Sequence, residues 1–132
     1  MTEPRTYWLP WPVSVNALWR ANRGQNILSE AGRRWFKSAT NELHLQRPEV
    51  IKGPVEIRIQ LKAPTRRKYD PDNRVKASLD ALVKSGIIEG DDDRIVRKIS
   101  VEVAGQDWDV PFESGALVTV RNVEGNSGSA TL

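Results

Sequence analysis

Nine consecutive residues, Val55 to Ala63, alternate without a break, and this run constrains the fold more than any other stretch of the chain. Val55, Ile57, Ile59, Leu61 and Ala63 fall on one side of an extended backbone, with Glu56, Arg58, Gln60 and Lys62 on the other. The pattern predicts a half-buried strand. Pro64 stops it, because proline has no N–H to give to a ladder. Asp70-Pro71-Asp72 then opens a helix: Asp70 suits the N-cap, Pro71 the first helical position, and Asp72 the first turn, where a negative charge meets the positive end of the dipole. Val75, Leu79, Leu82 and Val83 make its buried stripe, and Gly86 supplies a left-handed stop. A short acidic turn, Glu89 to Asp93, leads into a strand from about Ile95 to Ala104. The result is a strand–helix–strand unit, a right-handed crossover if its strands are parallel.

The flanking segments enlarge this unit. Arg5–Leu9 alternates as a first strand, ended by Pro10-Trp11-Pro12. Val13–Leu28 has no clear period and reads as a long loop. Ser29 caps a helix running to about Leu45, with Ala31, Trp35, Ala39 and Leu43 on one face. Leu117–Arg121 is a final strand. The fold class expected is α/β (α+β): a single domain over residues 1–123, with a mixed sheet of about four strands and two main helices packed on it. Residues 124–132, rich in Gly, Ser and Asn, form an expected flexible C-terminal tail.

Composition excludes several chemistries. The absence of cysteine removes disulfides, thiolate zinc sites and thiol nucleophiles, and suits a reducing cytoplasm. His44 is the sole histidine and reads as a helix-end residue, so a metal site must use oxygen ligands, which favours magnesium, manganese or calcium. No apolar run approaches the roughly 18 residues that cross a bilayer, and no signal core follows Met1 to Arg5. The reading is a cytoplasmic protein without a membrane partner. Charge is segregated: residues 1–98 hold 19 Lys/Arg against 12 Asp/Glu, while residues 99–132 hold one Arg against five acids. A basic body of this kind suits a polyanionic partner.

The carboxylates carry the chemistry. Asp70 and Asp72 lie at a strand-to-helix junction, and Asp91-Asp92-Asp93 lies where the next strand begins. A crossover helix returns the chain to the opposite end of the sheet. The two acidic groups meet only if that next strand is antiparallel or if the acidic turn folds back over the helix start. Three carboxylates in one place repel one another unless a divalent cation neutralises them. Two helical residues two apart diverge by about 200°, but Asp70 outside the helix and Asp72 inside it can converge. Lys76, one turn after Asp72, is placed to hold a phosphate oxygen or to stabilise charge that grows during phosphoryl transfer. Arg66, Arg67, Lys68 and Arg74 surround the same corner and attract a nucleic-acid backbone, and Asn73 adds an uncharged donor. Asp80 is either a partner for Lys76 or a plain exposed acid. Singly these residues read as a cap, a surface ion pair worth about 0.3–0.5 kcal/mol and a solvated turn; together in one short unit they point to chemistry.

The run Asp70-Pro71-Asp72-Asn73-Arg74-Val75-Lys76-Ala77, with Leu79-Asp80-Ala81-Leu82, Gly86, Asp91-Asp92 and Ile95-Val96, resembles the RusA family of Holliday junction resolvases. Leu9-Pro10-Trp11-Pro12, with Ser14, Asn16 and Trp19, is similar to that family's opening motif, and the likeness spans roughly residues 7 to 104. It implies a homodimeric, magnesium-dependent α/β nuclease, with manganese as a substitute, of the kind frequent in bacteriophage and prophage. Its substrate would be four-way branched DNA, nicked in symmetric pairs near a CC dinucleotide, in recombination and repair. The family's acidic triad carries over onto Asp70, Asp72 and one of Asp91 and Asp92, and its functional lysine onto Lys76. Counting from Gly86 favours Asp91; matching D-D-x-x-Ile favours Asp92, the preferred reading because it keeps the strand register at Ile95. Asn16 joins Arg66, Arg67, Lys68, Asn73, Arg74 and Lys76 as an expected DNA contact.

Two rival readings come from other classes. One is a non-catalytic module that binds branched DNA, in which the aspartates only cap a helix. The other is a less selective metal-dependent nuclease. Trp11 and Trp19 could stack on bases exposed at a branch point, although core or dimer packing is the commoner fate of tryptophan.

Overall fold

In the computed structural model, which describes residues 3–123, the alternating run is the strand β4 (Val55–Lys62) at the interior of a four-stranded sheet. The other strands are β1 (Arg5–Leu9), β5 (Val96–Val103) and β6 (Gly115–Asn122), in the spatial order β1-β6-β4-β5. β6 runs antiparallel to both β1 and β4, whereas β5 runs parallel to β4, with Ile57 opposite Val120 on one side and Ile99 on the other. The sheet is therefore mixed, as expected. Val55, Ile57, Ile59 and Leu61 are buried on the face that the helices cover, together with Val118 and Val120 of β6. The opposite face is polar, and Arg58 pairs there with Glu102 at 2.8 Å, and Arg121 with Glu56.

Two principal helices complete the core. α2 (Glu30–Leu45) starts where Ser29 accepts a hydrogen bond from the Gly32 N–H at 2.9 Å, and it buries Trp35, Phe36, Ala39 and Leu43. α3 (Val75–Lys84) buries Ala77, Leu79, Ala81 and Leu82 and ends at Gly86, whose φ of 74° is the left-handed conformation that glycine adopts without strain. The α2 end also closes the outer edge of the sheet: the Gln46 amide accepts from the Trp8 N–H and donates to the Trp8 carbonyl, both at 2.8 Å. A strand edge is thereby satisfied by one side chain. Gly115 opens β6 because Trp8 lies where any Cβ would stand.

Two expectations need correction. The stretch Val13–Leu28 is ordered structure rather than a loop: α1 (Val15–Leu18), then a hairpin of β2 (Trp19–Asn22) and β3 (Gln25–Leu28). Its turn places Arg23 and Gly24 both at positive φ, the requirement of a tight two-residue hairpin turn. The helix after Asp70 begins as a 3₁₀ turn, Pro71–Arg74, and the Asp70 side chain does not cap it; the Asn73 N–H bonds instead to the Asp70 backbone carbonyl at 3.0 Å. The N–H that a capping carboxylate would take is thus already used by the i→i+3 bond of the 3₁₀ turn. The architecture also gains a second, two-stranded sheet and a third helix. The expected flexible tail, 124–132, lies outside the described residues. Among the described residues no helix is long and apolar enough to cross a membrane.

Candidate active site

Because β4 and β5 are parallel, the acidic turn approaches the start of α3 only by folding back along it, and it does so as far as Lys76. Ile87 and Ile88 are buried in the core, and the Ile87 carbonyl accepts from the Ile51 N–H at 2.8 Å. This anchor lets the following residues turn toward the start of α3. Asp91 thereby reaches Lys76, with the ammonium 3.2 Å from its Oδ2. Asp80, one helical turn beyond Lys76, holds the same ammonium at 3.1 Å. Lys76 is thus gripped from two directions, by its own helix and by the turn that leaves it.

The two grips set the protonation of this cluster. Burial acts to lower the Lys76 pKa, but the hydrogen bonds and charges of Asp80 and Asp91 outweigh it and hold the ammonium above the ordinary lysine value. Burial raises the Asp80 carboxyl above the usual carboxylate range, while the Lys76 charge pulls the other way. Lys76 is therefore a cation at any physiological pH.

Asp91 and Asp92 part company here. The Asp92 carboxylate accepts from the Arg94 backbone N–H at 2.9 Å and from its guanidinium at 3.2 and 2.9 Å. The Asp92 carbonyl takes the N–H groups of Ile95 and Val96 at 3.0 and 2.9 Å. The Arg94 bonds lower the Asp92 pKa. Asp92 builds the turn that starts β5, and Asp91 faces the lysine. Asp91 therefore reaches Lys76, whereas Asp92, the preferred sequence reading for the third acid, is engaged by Arg94. The pattern Asp92-x-Arg94, two acids with only one followed by an arginine at this spacing, was the available signal.

At the other side of the corner, Asp70 and Asp72 are exposed. The Asn73 amide nitrogen lies 3.5 Å from Asp70 Oδ2. Neither aspartate forms an ion pair among the described residues. Among those residues no three acidic or histidine side chains stand close enough to hold one ion. The donor set is nonetheless that of a hard-cation site, carboxylate oxygen without thiolate or imidazole. Arg66, Arg67 and Lys68 are exposed on the loop before Asp70, and Asn16 is exposed on α1, which packs against the 3₁₀ turn. Arg74 is different. Its guanidinium donates to the Pro12 carbonyl at 2.7 Å and lies 5.0 Å from the Trp11 ring centroid and 5.9 Å from that of Tyr69. Trp11 is half-buried in that cluster, whereas Trp19 is 40% exposed. Tyr69, set between the basic run and Asp70, was not singled out from the sequence.

Residues 10–115, which include this whole corner, match the family described as Endodeoxyribonuclease RusA. The chain belongs to the RusA family. Proteins named crossover junction endodeoxyribonuclease RusA from Shigella sonnei (strain Ss046) and Enterobacteria phage 82 are each 39% identical over 79 residues, 59% of this chain and 66% of theirs. The matched stretch thus spans a little under two-thirds of these RusA relatives. The protein of the same name from Enterobacteria phage HK97 is 30% identical over 98 residues, 70% of this chain and 82% of its own.

Proposed function

We propose that this chain is a structure-selective endodeoxyribonuclease that resolves four-way DNA junctions by paired symmetric nicks, in recombination and repair. The observation that carries the reading is the Lys76 ammonium, held between Asp80 and Asp91 beside the Asp70–Asp72 turn. A RusA-family fold and relatives named as crossover junction endodeoxyribonucleases supply the reaction class. Asp70, Asp72 and Asp91 would hold Mg²⁺, with Mn²⁺ as a substitute. Such an ion, when bound, supplies a Lewis acid that activates water for attack on phosphorus and stabilises the leaving oxygen.

The remaining work falls to the chain itself. Lys76 would present a fixed positive charge where the phosphoryl oxygens gain charge, and Asp80 holds that ammonium independently of Asp91. Arg66, Arg67 and Lys68 hold the phosphate backbone next to Asp70, and Asn16 and Asn73 add uncharged donors. A homodimer fits the substrate, because a junction with approximate two-fold symmetry needs two symmetric sites to receive two nicks. The working compartment is the cytoplasm of a bacterium or phage-infected cell.

The test is the purified chain on a synthetic mobile four-way junction with Mg²⁺. The expected result is two nicks at symmetric positions in opposed strands, abolished by EDTA and by Asp70→Asn. No cleavage, or cleavage untouched by Asp70→Asn, rejects the reading. Equal cutting of flaps and linear duplex would leave a nuclease but remove the junction selectivity.

A further inference from the structure

Beside the candidate active site lies a cleft of about 380 Å³ whose aromatic walls the chemistry above does not use. Its walls include Trp11, Thr65, Arg67, Lys68, Tyr69 and Arg74. Arg67, Lys68 and Tyr69 also wall the adjoining hollow that holds Asp70, so one short segment separates the two spaces.

The cleft has the composition of a nucleotide site. Trp11 and Tyr69 meet edge to face at 4.9 Å between centroids, with the Arg74 guanidinium over both rings. Three cationic side chains line it and no acid does. Behind its wall, Tyr69 Oη and Arg74 Nε are buried without a protein partner. Burial holds the Tyr69 hydroxyl above its ordinary pKa, so it remains a donor.

We propose that this cleft is a subsite for one unstacked nucleotide of the DNA strand at the candidate active site, its base against Trp11 and Tyr69 and its phosphate on Arg67 and Lys68. Aromatic faces take any base, and flanking cations track the backbone. A fully paired duplex keeps its bases stacked, whereas a branch point releases them readily. The cleft therefore adds junction selectivity to the nuclease reading on which it rests. Arg74 acts through the rings: tied to the Pro12 carbonyl, it fixes their mutual position.

The experiment uses the whole protein in EDTA, so that nothing is cut. 2-Aminopurine is placed at one position at a time around the branch point of a four-way junction, and along a short single strand. One junction position is expected to lose fluorescence several-fold on binding. Tyr69→Leu and Trp11→Leu should each abolish that loss, and Tyr69→Phe should keep it. Arg67→Ala and Lys68→Ala should weaken binding at every position and each reduce the salt slope by about one. Trp11 and Tyr69 both pack on the core, so Tyr69→Leu is read beside its melting temperature, with Tyr69→Phe as the control that keeps the ring. Quenching that is the same in wild type and Tyr69→Leu, or that singles out no position, overturns the proposal. Position-specific quenching in a protein that never nicks a junction would sink the resolvase reading and leave the subsite standing.

Discussion

The turn that enters α3 and the turn that leaves it are both acidic, and they use their carboxylates in opposite ways. At the entry, backbone does the building: Pro71 fixes one dihedral and the Asp70 carbonyl takes the Asn73 N–H, which leaves the carboxylates of Asp70 and Asp72 out of the scaffold. At the exit, side chains do the building. Asp92 closes its own turn with Arg94, and Asp91 goes to Lys76. The lesson is that a carboxylate already satisfied by a guanidinium and a backbone N–H is a weak candidate for a cation, however well its position matches a motif. One held only by a single lysine is a strong candidate, because that lysine has a second carboxylate to keep it.

The sharpest way to break this contrast is to neutralise the acids one by one. Asp70→Asn, Asp72→Asn and Asp91→Asn should each lower junction cleavage by about a hundredfold or more, since a metal site supplies several kcal/mol to the barrier. Asp92→Asn should stay within about tenfold and show itself in thermal melting instead. Equal losses for Asp91 and Asp92 would erase the distinction. Next, Lys76→Met should cut kcat by about 10²–10³-fold with KM little changed, as expected of a charge that matters chiefly in the transition state. A pure KM effect would make Lys76 a binding residue only.

Smaller effects sharpen the same picture. Asp80 helps to raise the Lys76 pKa, so Asp80→Asn should move the alkaline fall of cleavage to lower pH, with a modest change near neutrality. An unshifted alkaline limb would show that Asp80 does not hold the lysine. The smallest effect concerns acid stability. Arg94 lowers the folded-state pKa of Asp92 below its unfolded value, so this pair stabilises the fold above the ordinary aspartate pKa of about 3.9 and loses that contribution as pH falls through the folded value. Asp92→Asn should flatten the melting temperature over that acid window, and an unchanged profile would deny Asp92 its structural role.

Much of this was legible in the residues. The period-two run of β4, the Ser29 cap of α2 and the Gly86 stop of α3 stand in the structure where local pattern places them. The hairpin at 19–28 was not legible, because its strands are four residues each and its turn uses Arg23-Gly24 rather than the Asn-Gly that usually marks such turns. That the acidic turn reaches Lys76 at all depends on the burial of Ile87 and Ile88 and on a parallel β5, both long-range facts that no local spacing encodes; only the Asp92-x-Arg94 pairing was local. The Trp11–Tyr69–Arg74 cluster escaped for the same reason: it joins residues separated by almost half the chain.

The most direct trial of the account is a Mn²⁺ titration of the whole protein with junction DNA present, followed by electron paramagnetic resonance of the free ion. The account predicts binding in wild type and in Asp92→Asn, weakened at least about tenfold in Asp72→Asn and in Asp91→Asn. Wild-type Mn²⁺ affinity in either of those last two variants would contradict it.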